Sequence, residues 1–173
     1  MSKPTPPVRL RMATEEDAPF IFNSWLKSYR KSFFARTITN TVYFSEHHKI
    51  IEKLLKKYQT VVACNNDDPT QVYGFINAGF TDGIFTLNFI YVKHSFRGLG
   101  IAKALFNAFE HDPSYAAVYT HHCRIAEKLA SKYNMLNHPY ILFSEYLDAP
   151  APTPVEEEST KDEPTTESLE DAE

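Results

Sequence analysis

The chain has 173 residues, 43% of them apolar and two of them cysteine, and a net charge of −4. That is the size of about one domain. It has no apolar run of the roughly 20 residues a membrane-crossing helix needs, no apolar stretch of export-signal type in its opening MSKPTPPVRLR, and no cysteine pattern for a disulfide framework or a metal site, so a reducing, cytoplasmic setting is expected. Residues 149–173 hold nine acidic residues against the single Lys161, a net −8, which leaves +4 on residues 1–148: enough to suit an anionic ligand, too little for nucleic acid.

Residues 1–7 read as an arm, and the first strand is Val8 to Met12, where apolar residues alternate with Arg9 and Arg11. Thr14-Glu15-Glu16-Asp17 reads as a helix start, with three carboxylates where the helix dipole favours them. That helix runs to about Ser28 and buries Phe20, Ile21 and Trp25. Residues 30–43 have no clean period. A second helix is expected from about Ser45 to Tyr58, with Ile50, Ile51, Leu54 and Leu55 inward. Three strands joined as hairpins follow, Thr60 to Cys64, Gln71 to Phe80 and Ile84 to Val92, with Asp82-Gly83 turning the chain between the last two.

After Val92 comes Arg97-Gly98-Leu99-Gly100-Ile101-Ala102, then apolar residues at helical spacing to about Glu110. A strand that meets a helix through glycines offers free backbone N–H groups to an anion, most often a phosphate. Arg97 adds a donor fork suited to the same ligand. Tyr115 to Thr120 reads as a buried strand, parallel to Ile84–Val92 because a helix separates them. Arg124 to Tyr133 reads as a helix, and Tyr140 to Tyr146 as the closing strand. The folded domain thus spans residues 8–148, and the Pro- and Glu-rich residues 149–173 form an acidic tail, expected to be disordered and either merely solvating or used to bind a basic partner.

This order of elements and this turn resemble the GNAT superfamily of acetyl-CoA-dependent N-acetyltransferases over nearly all of residues 8–147. Arg97-x-x-Gly100-x-Ala102 matches the family's coenzyme motif, which here follows Ile90-Tyr91-Val92. The resemblance implies an α+β fold: a mixed, mostly antiparallel sheet with splayed central strands and about four flanking helices. It implies that residues 98–102 cradle the pyrophosphate of acetyl-CoA, that Ile90, Tyr91 and Val92 meet the pantetheine arm, and that an acetyl group passes directly to an amine acceptor, with no metal. In the family's last helix the frame Cys123-x-x-Ala126-x-x-Leu129-Ala130-x-Lys132-x-Asn134-Met135 departs at functional letters. Cys123 stands for an Asn, and Ala130 for the Tyr that commonly protonates the leaving thiolate. Compact chains with such departures also look like those of phage genomes, which would place the protein in a host cytoplasm. A homodimer is left open.

The chemical residues are less legible. Asn88 lies where many relatives carry a Glu base, and can orient but not deprotonate. His121 and His122 end the parallel strand and are candidate bases. Tyr133, three residues past Ala130, is the nearest phenol to the missing acid. His94, His47 and His48 read as surface residues, and Trp25 with Tyr29 to Phe34 as core or as the wall of an acceptor groove. The rival reading is a GNAT-fold protein that kept its coenzyme site, lost efficient chemistry and works through a partner.

Overall fold

The computed structural model describes residues 7–112 and 114–143. The arm up to residue 6 and the acidic tail lie outside the described residues. The fold is a mixed α/β architecture around one open six-stranded sheet whose strands lie side by side in chain order. Strand β1 (Val8–Met12) pairs antiparallel with β2 (Gln59–Asn65), β2 with β3 (Val72–Thr81), and β3 with β4 (Ile84–Val92). Then the sense changes: β5 (Ala117–Tyr119) and β6 (Met135–Asn137) run parallel to β4. The fold class implied by the resemblance is the one observed.

Four α-helices that lie wholly within the described residues flank the sheet, α1 (Ala18–Tyr29), α2 (Asn40–Lys57), α3 (Ile101–Asn107) and α4 (Arg124–Tyr133). Ile21 and Trp25 of α1 and Ile51 and Leu54 of α2 pack with Val62, Phe75 and Phe89 on one face. Ile101, Leu105 and Phe106 of α3 and Ala126 and Ala130 of α4 pack with Val61, Ala63, Ile76 and Leu87 on the other. Burying each of the larger side chains contributes about 1.5–3 kcal/mol. Trp25 and Phe89, stacked at 4.7 Å between ring centroids, add about 0.5–1.5 kcal/mol beyond their area.

Local chemistry sets several boundaries. The β3–β4 hairpin turns through Asp82 at φ 50° and Gly83 at φ 78°, the two left-handed residues a tight twisted hairpin requires. Ahead of α1, Asp17 is buried, forks onto Arg11 at 2.6 and 2.9 Å, and accepts the Thr14 N–H at 2.8 Å. Helix α4 stops at Asn134, left-handed at φ 51°.

Three expectations are corrected. Helix α2 starts at Asn40, not Ser45, because Tyr43 and His47 extend its buried stripe of Ile51 and Leu54 backward. Helix α3 ends at Asn107, three residues before Glu110. The sixth strand is Met135–Asn137; of the segment read as closing strand, residues 141–143 are helical and 144–146 lie outside the described residues. The short strand forms because β5 offers a parallel edge at Ala117–Tyr119 directly after the Asn134 turn.

One irregularity shapes the site. Asn77 pairs with Phe89 while Ala78 pairs with Leu87, so Asn88 is an extra residue in β4. Such a bulge shifts the side-chain alternation by one and bends the strand. Phe85 and Leu87 face α3 and α4 before it, and Ile90 and Val92 do so after it. Parallel pairing with β5 stops at Leu87, whose carbonyl accepts the Thr120 N–H at 3.0 Å. Beyond that point the sheet opens.

Candidate active site

The opening is a cleft of about 460 Å³ between the free edge of β4 (Phe89, Ile90, Tyr91) and the start of α4 (Cys123, Arg124, Ile125), roofed by Ser24, Lys27 and Ser28 of α1 and by Lys31 just beyond it. It adjoins a second hollow of about 220 Å³ over the glycine loop, lined by Gly98, Gly100, Ile101, Ala102, Lys103 and Lys128. Arg97 and Ile125 line both. Together they gather Lys27, Lys31, Arg97, Lys103, Arg124 and Lys128 with no carboxylate among the lining residues, a field that favours a polyanion.

The loop is built for close approach. Gly98 and Gly100 sit at φ 82° and 79°, and a Cβ on either would meet nothing within 4 Å. The first turn of α3 follows Gly100, so the N–H groups of Ile101, Ala102 and Lys103 have no carbonyl one turn earlier in the helix. Arg97 Nε donates to the Val92 carbonyl at 3.0 Å, which ties the guanidinium to the end of β4 and leaves its outer nitrogens for an anion. Ile90 and Val92 are buried against α3 and α4, Leu99 packs at the edge of that cluster, and Tyr91 packs on Phe20 and Phe75 with its backbone at the cleft.

The four candidate chemical residues are not brought together in the cleft. Tyr133 stacks on Phe106 at 4.4 Å and lines neither hollow. His122 has both ring nitrogens engaged, Nδ1 with the Tyr119 hydroxyl at 3.0 Å and Nε2 with Glu127 at 2.8 Å. Asn88 and His121 are buried, at 1% exposure each, as links in a polar chain beneath the sheet surface.

The direction of that chain is set by its anchor. Asn77 Nδ2 donates to Thr60 Oγ1 at 2.9 Å and to the carbonyls of Leu54 and Gln59 at 3.4 Å. Carbonyls only accept, so Asn77 turns its oxygen to Asn88 Nδ2 at 2.9 Å. Asn88 Oδ1 then takes the Thr120 hydroxyl proton at 3.1 Å. Thr120 has nothing left to donate, so it accepts from His121 Nδ1–H at 2.9 Å. His121 Nε2 is left bare and accepts from His47 Nε2–H at 3.2 Å.

His47 is the residue that sequence reasoning missed. It is 8% exposed, not a surface residue, and its ring is sandwiched between Tyr29 at 4.9 Å and Tyr43 at 5.1 Å. The signal was its place four residues after Tyr43 and four before Ile51, on the stripe α2 buries. Burial pushes its pKa down to about 4. Burial, and then the neighbouring His47, push His121 down as well. Both rings are neutral at pH 7. Cys123 is half-buried at the cleft, and burial pushes its thiol up, so it stays protonated there.

A third hollow of about 400 Å³ lies next to the cleft, where Ser28 and Cys123 of the cleft give way to their chain neighbours Tyr29 and His122; it is walled by Phe34, Ile38, Val42, Tyr43, Leu142 and Phe143 with His47 among its lining residues. No helix among the described residues is long and apolar enough to cross a membrane, and no cluster there could hold a metal ion.

No protein-family model and no curated protein sequence matches the chain. Solved structures do resemble it. A protein of Pyrococcus furiosus assigned as an acetyl transferase is 21% identical with a TM-score of 0.46, over 86% of this chain and 96% of that one. One of Deinococcus radiodurans, likewise assigned, is 16% identical with a TM-score of 0.48, over 77% and 85%. A GNAT-family acetyltransferase of Brucella melitensis in complex with acetyl-CoA is 21% identical with a TM-score of 0.43, over 58% and 64%. The structures similar to this chain thus include acetyltransferases of the GNAT family, some of them holding CoA or acetyl-CoA.

Proposed function

We propose that the chain binds acetyl-CoA and passes its acetyl group directly to a primary amine. The observation that carries this reading is the opening of the sheet at the Asn88 bulge onto a cleft whose far end is the cationic glycine loop. In this reading Arg97, Lys103, Lys128 and the amides of residues 98–102 hold the pyrophosphate. The edge of β4 from Phe89 to Tyr91 takes the pantetheine amides as an added strand would be taken. An amide at Tyr91 or Val92 polarises the thioester carbonyl. Bound acetyl-CoA supplies an acetyl group already activated as a thioester. Cys123, held as a thiol, is a poor nucleophile, which favours direct transfer over an acyl-cysteine route.

Calorimetric titration tests the site, with ATP as control. Acetyl-CoA is expected to bind at micromolar concentration and ATP not at all. Arg97→Ala should weaken binding about tenfold, the loss of one charge-assisted contact. A variant that binds as tightly as wild type would remove Arg97 from the site. Gly100→Ala meets no clash but must hold a left-handed backbone at a cost of about 1–2 kcal/mol, and it brings a Cβ to the anion.

One observation favours the rival, a coenzyme-binding protein without efficient chemistry: Asn88, His121 and His122 are already paired, and Tyr133 lies away from the cleft. Thiol release across an amine panel separates the two. Tight acetyl-CoA binding with no release above buffer would select the rival.

A further inference from the structure

We propose that the third hollow is the acceptor site, that it takes a primary amine carried on an aromatic or branched apolar body, and that His47 Nδ1 receives the amine's proton. This rests on the acetyl-transfer reading above. Three observations point the same way.

The first is charge. The cleft and loop present six cations and no carboxylate, whereas the adjoining hollow has no lysine or arginine among its lining residues, and its one carboxylate, Glu46, is paired with Lys49 at 2.8 Å, so a cation meets there none of the repulsion of the cleft. The polyanionic coenzyme and a basic acceptor are thereby sorted to neighbouring hollows of different charge. The second is the wall: Phe34, Ile38, Val42, Tyr43, Leu142 and Phe143 accommodate an apolar body and exclude water from a polyamine.

The third is the direction of the polar chain. The anchor at Asn77 forces the proton of His47 onto Nε2, so Nδ1 carries the lone pair. Nδ1 makes no hydrogen bond among the described residues, and it is not among the buried polar atoms sealed from solvent without a partner. Asn88 and His121 are then positioning residues that act through His47. The acceptor arrives as an ammonium and first gives one proton to solvent; the amine lone pair so freed forms the N–C bond to the thioester carbonyl carbon. The C–S bond breaks, the thiolate leaves and takes a proton from water, and the surplus amine proton goes to His47 Nδ1, which later releases it to solvent. While His47 holds that proton, its Nε2–H···Nε2 bond to His121 gains a charged donor and strengthens, so the chain favours the transition state over the ground state.

The test begins without the coenzyme. The single tryptophan, Trp25, lies 5.2 Å from the His121 ring and reports the site by fluorescence. Titration with 2-phenylethylamine should saturate, and titration with spermidine should not. Val42→Arg, at a half-exposed position that tolerates a long side chain, should abolish the response. Turnover of 2-phenylethylamine with acetyl-CoA should fall about 100-fold in kcat for His47→Gln, with acetyl-CoA affinity unchanged. Rescue of His47→Ala by added imidazoles should rise with their basicity, which a merely structural histidine would not produce. Binding of spermidine instead of phenylethylamine overturns the substrate class. Wild-type turnover by His47→Gln overturns the base. If acetyl-CoA fails to bind the wild type, the transfer reading falls and the base assignment with it, while the amine titration alone still decides the groove.

Discussion

Acidification from pH 7 to pH 4 will lower the folding stability by about 3 kcal/mol through His47 alone, a loss visible in urea unfolding followed by Trp25 fluorescence. The folded pKa of His47 is about 4 against an ordinary 6.5. Below pH 6.5 the unfolded chain therefore binds a proton that the folded chain refuses, so unfolding takes up a proton and stability falls with pH. The contribution is complete above pH 6.5 and is lost progressively toward the folded pKa. A shift of about 2.5 units corresponds to about 3 kcal/mol. His121, pushed down by burial and by His47, adds in the same direction, as does His111, pushed down by burial. Asp17 does not share this window: burial raises its carboxyl, and Arg11 and Thr14 more than reverse that, so its loss comes below the ordinary carboxylate range. The groups facing His47 are Tyr29, Tyr43 and His121, while the neighbouring carboxylate of Glu46 is paired with Lys49 instead. His47→Gln should flatten the slope between pH 6.5 and 4. Urea midpoints of the wild type that stay level from pH 7 to pH 5 would show that the two rings are not held neutral.

The parts of this fold legible in the sequence are those whose signal is local. Asp82-Gly83 announced the hairpin because two left-handed residues are needed there, and Asn134 marked the end of α4 for the same reason. Arg97, Gly98 and Gly100 stood out because a strand-to-helix turn with two glycines has few uses other than close approach to a ligand. The bulge at Asn88 was invisible. IFTLNFIYV is buried on both faces, so its alternation carries no register, and only pairing with Asn77 and Ala78 makes one residue extra. Strand β6 has three residues, too few for a period. His47 escaped because Val42 and Phe44, both exposed, obscure the stripe that begins at Tyr43. Its partner His121 stood out as a candidate base, but nothing local reveals that its Nδ1 proton is committed to Thr120.

The glycine with the largest structural consequence lies outside the loop. Gly74→Ala is expected to cost roughly 3 kcal/mol, or about 10 °C in Tm, and to abolish acetyl-CoA binding in whatever fraction stays folded. Gly74 stands opposite Val92 in the β3–β4 ladder. A Cβ there would overlap the carbonyl oxygen of Tyr91 and lie 3.1 Å from the Val92 Cα. Both are backbone atoms of a central strand, so no rotamer change relieves the contact, and β3 and β4 must part where their pairing holds the sheet together. The displaced residues, Tyr91 and Val92, form the edge proposed to meet the pantetheine and the carbonyl that anchors Arg97. A core defect is thereby transmitted to the coenzyme site through the short stretch of chain from Val92 to Arg97. Gly79→Ala is the matched control. Its Cβ would come 3.1 Å from the Tyr58 ring at the sheet's other end, a contact with a side chain rather than with backbone that a ring shift of a few tenths of an ångström relieves, and about 1 kcal/mol is expected. Thermal unfolding of both variants, with calorimetry on the survivors, separates the cases. If Gly74→Ala melts with the wild type and still binds acetyl-CoA, the close approach of β3 to β4 at Tyr91 is not a constraint on this site.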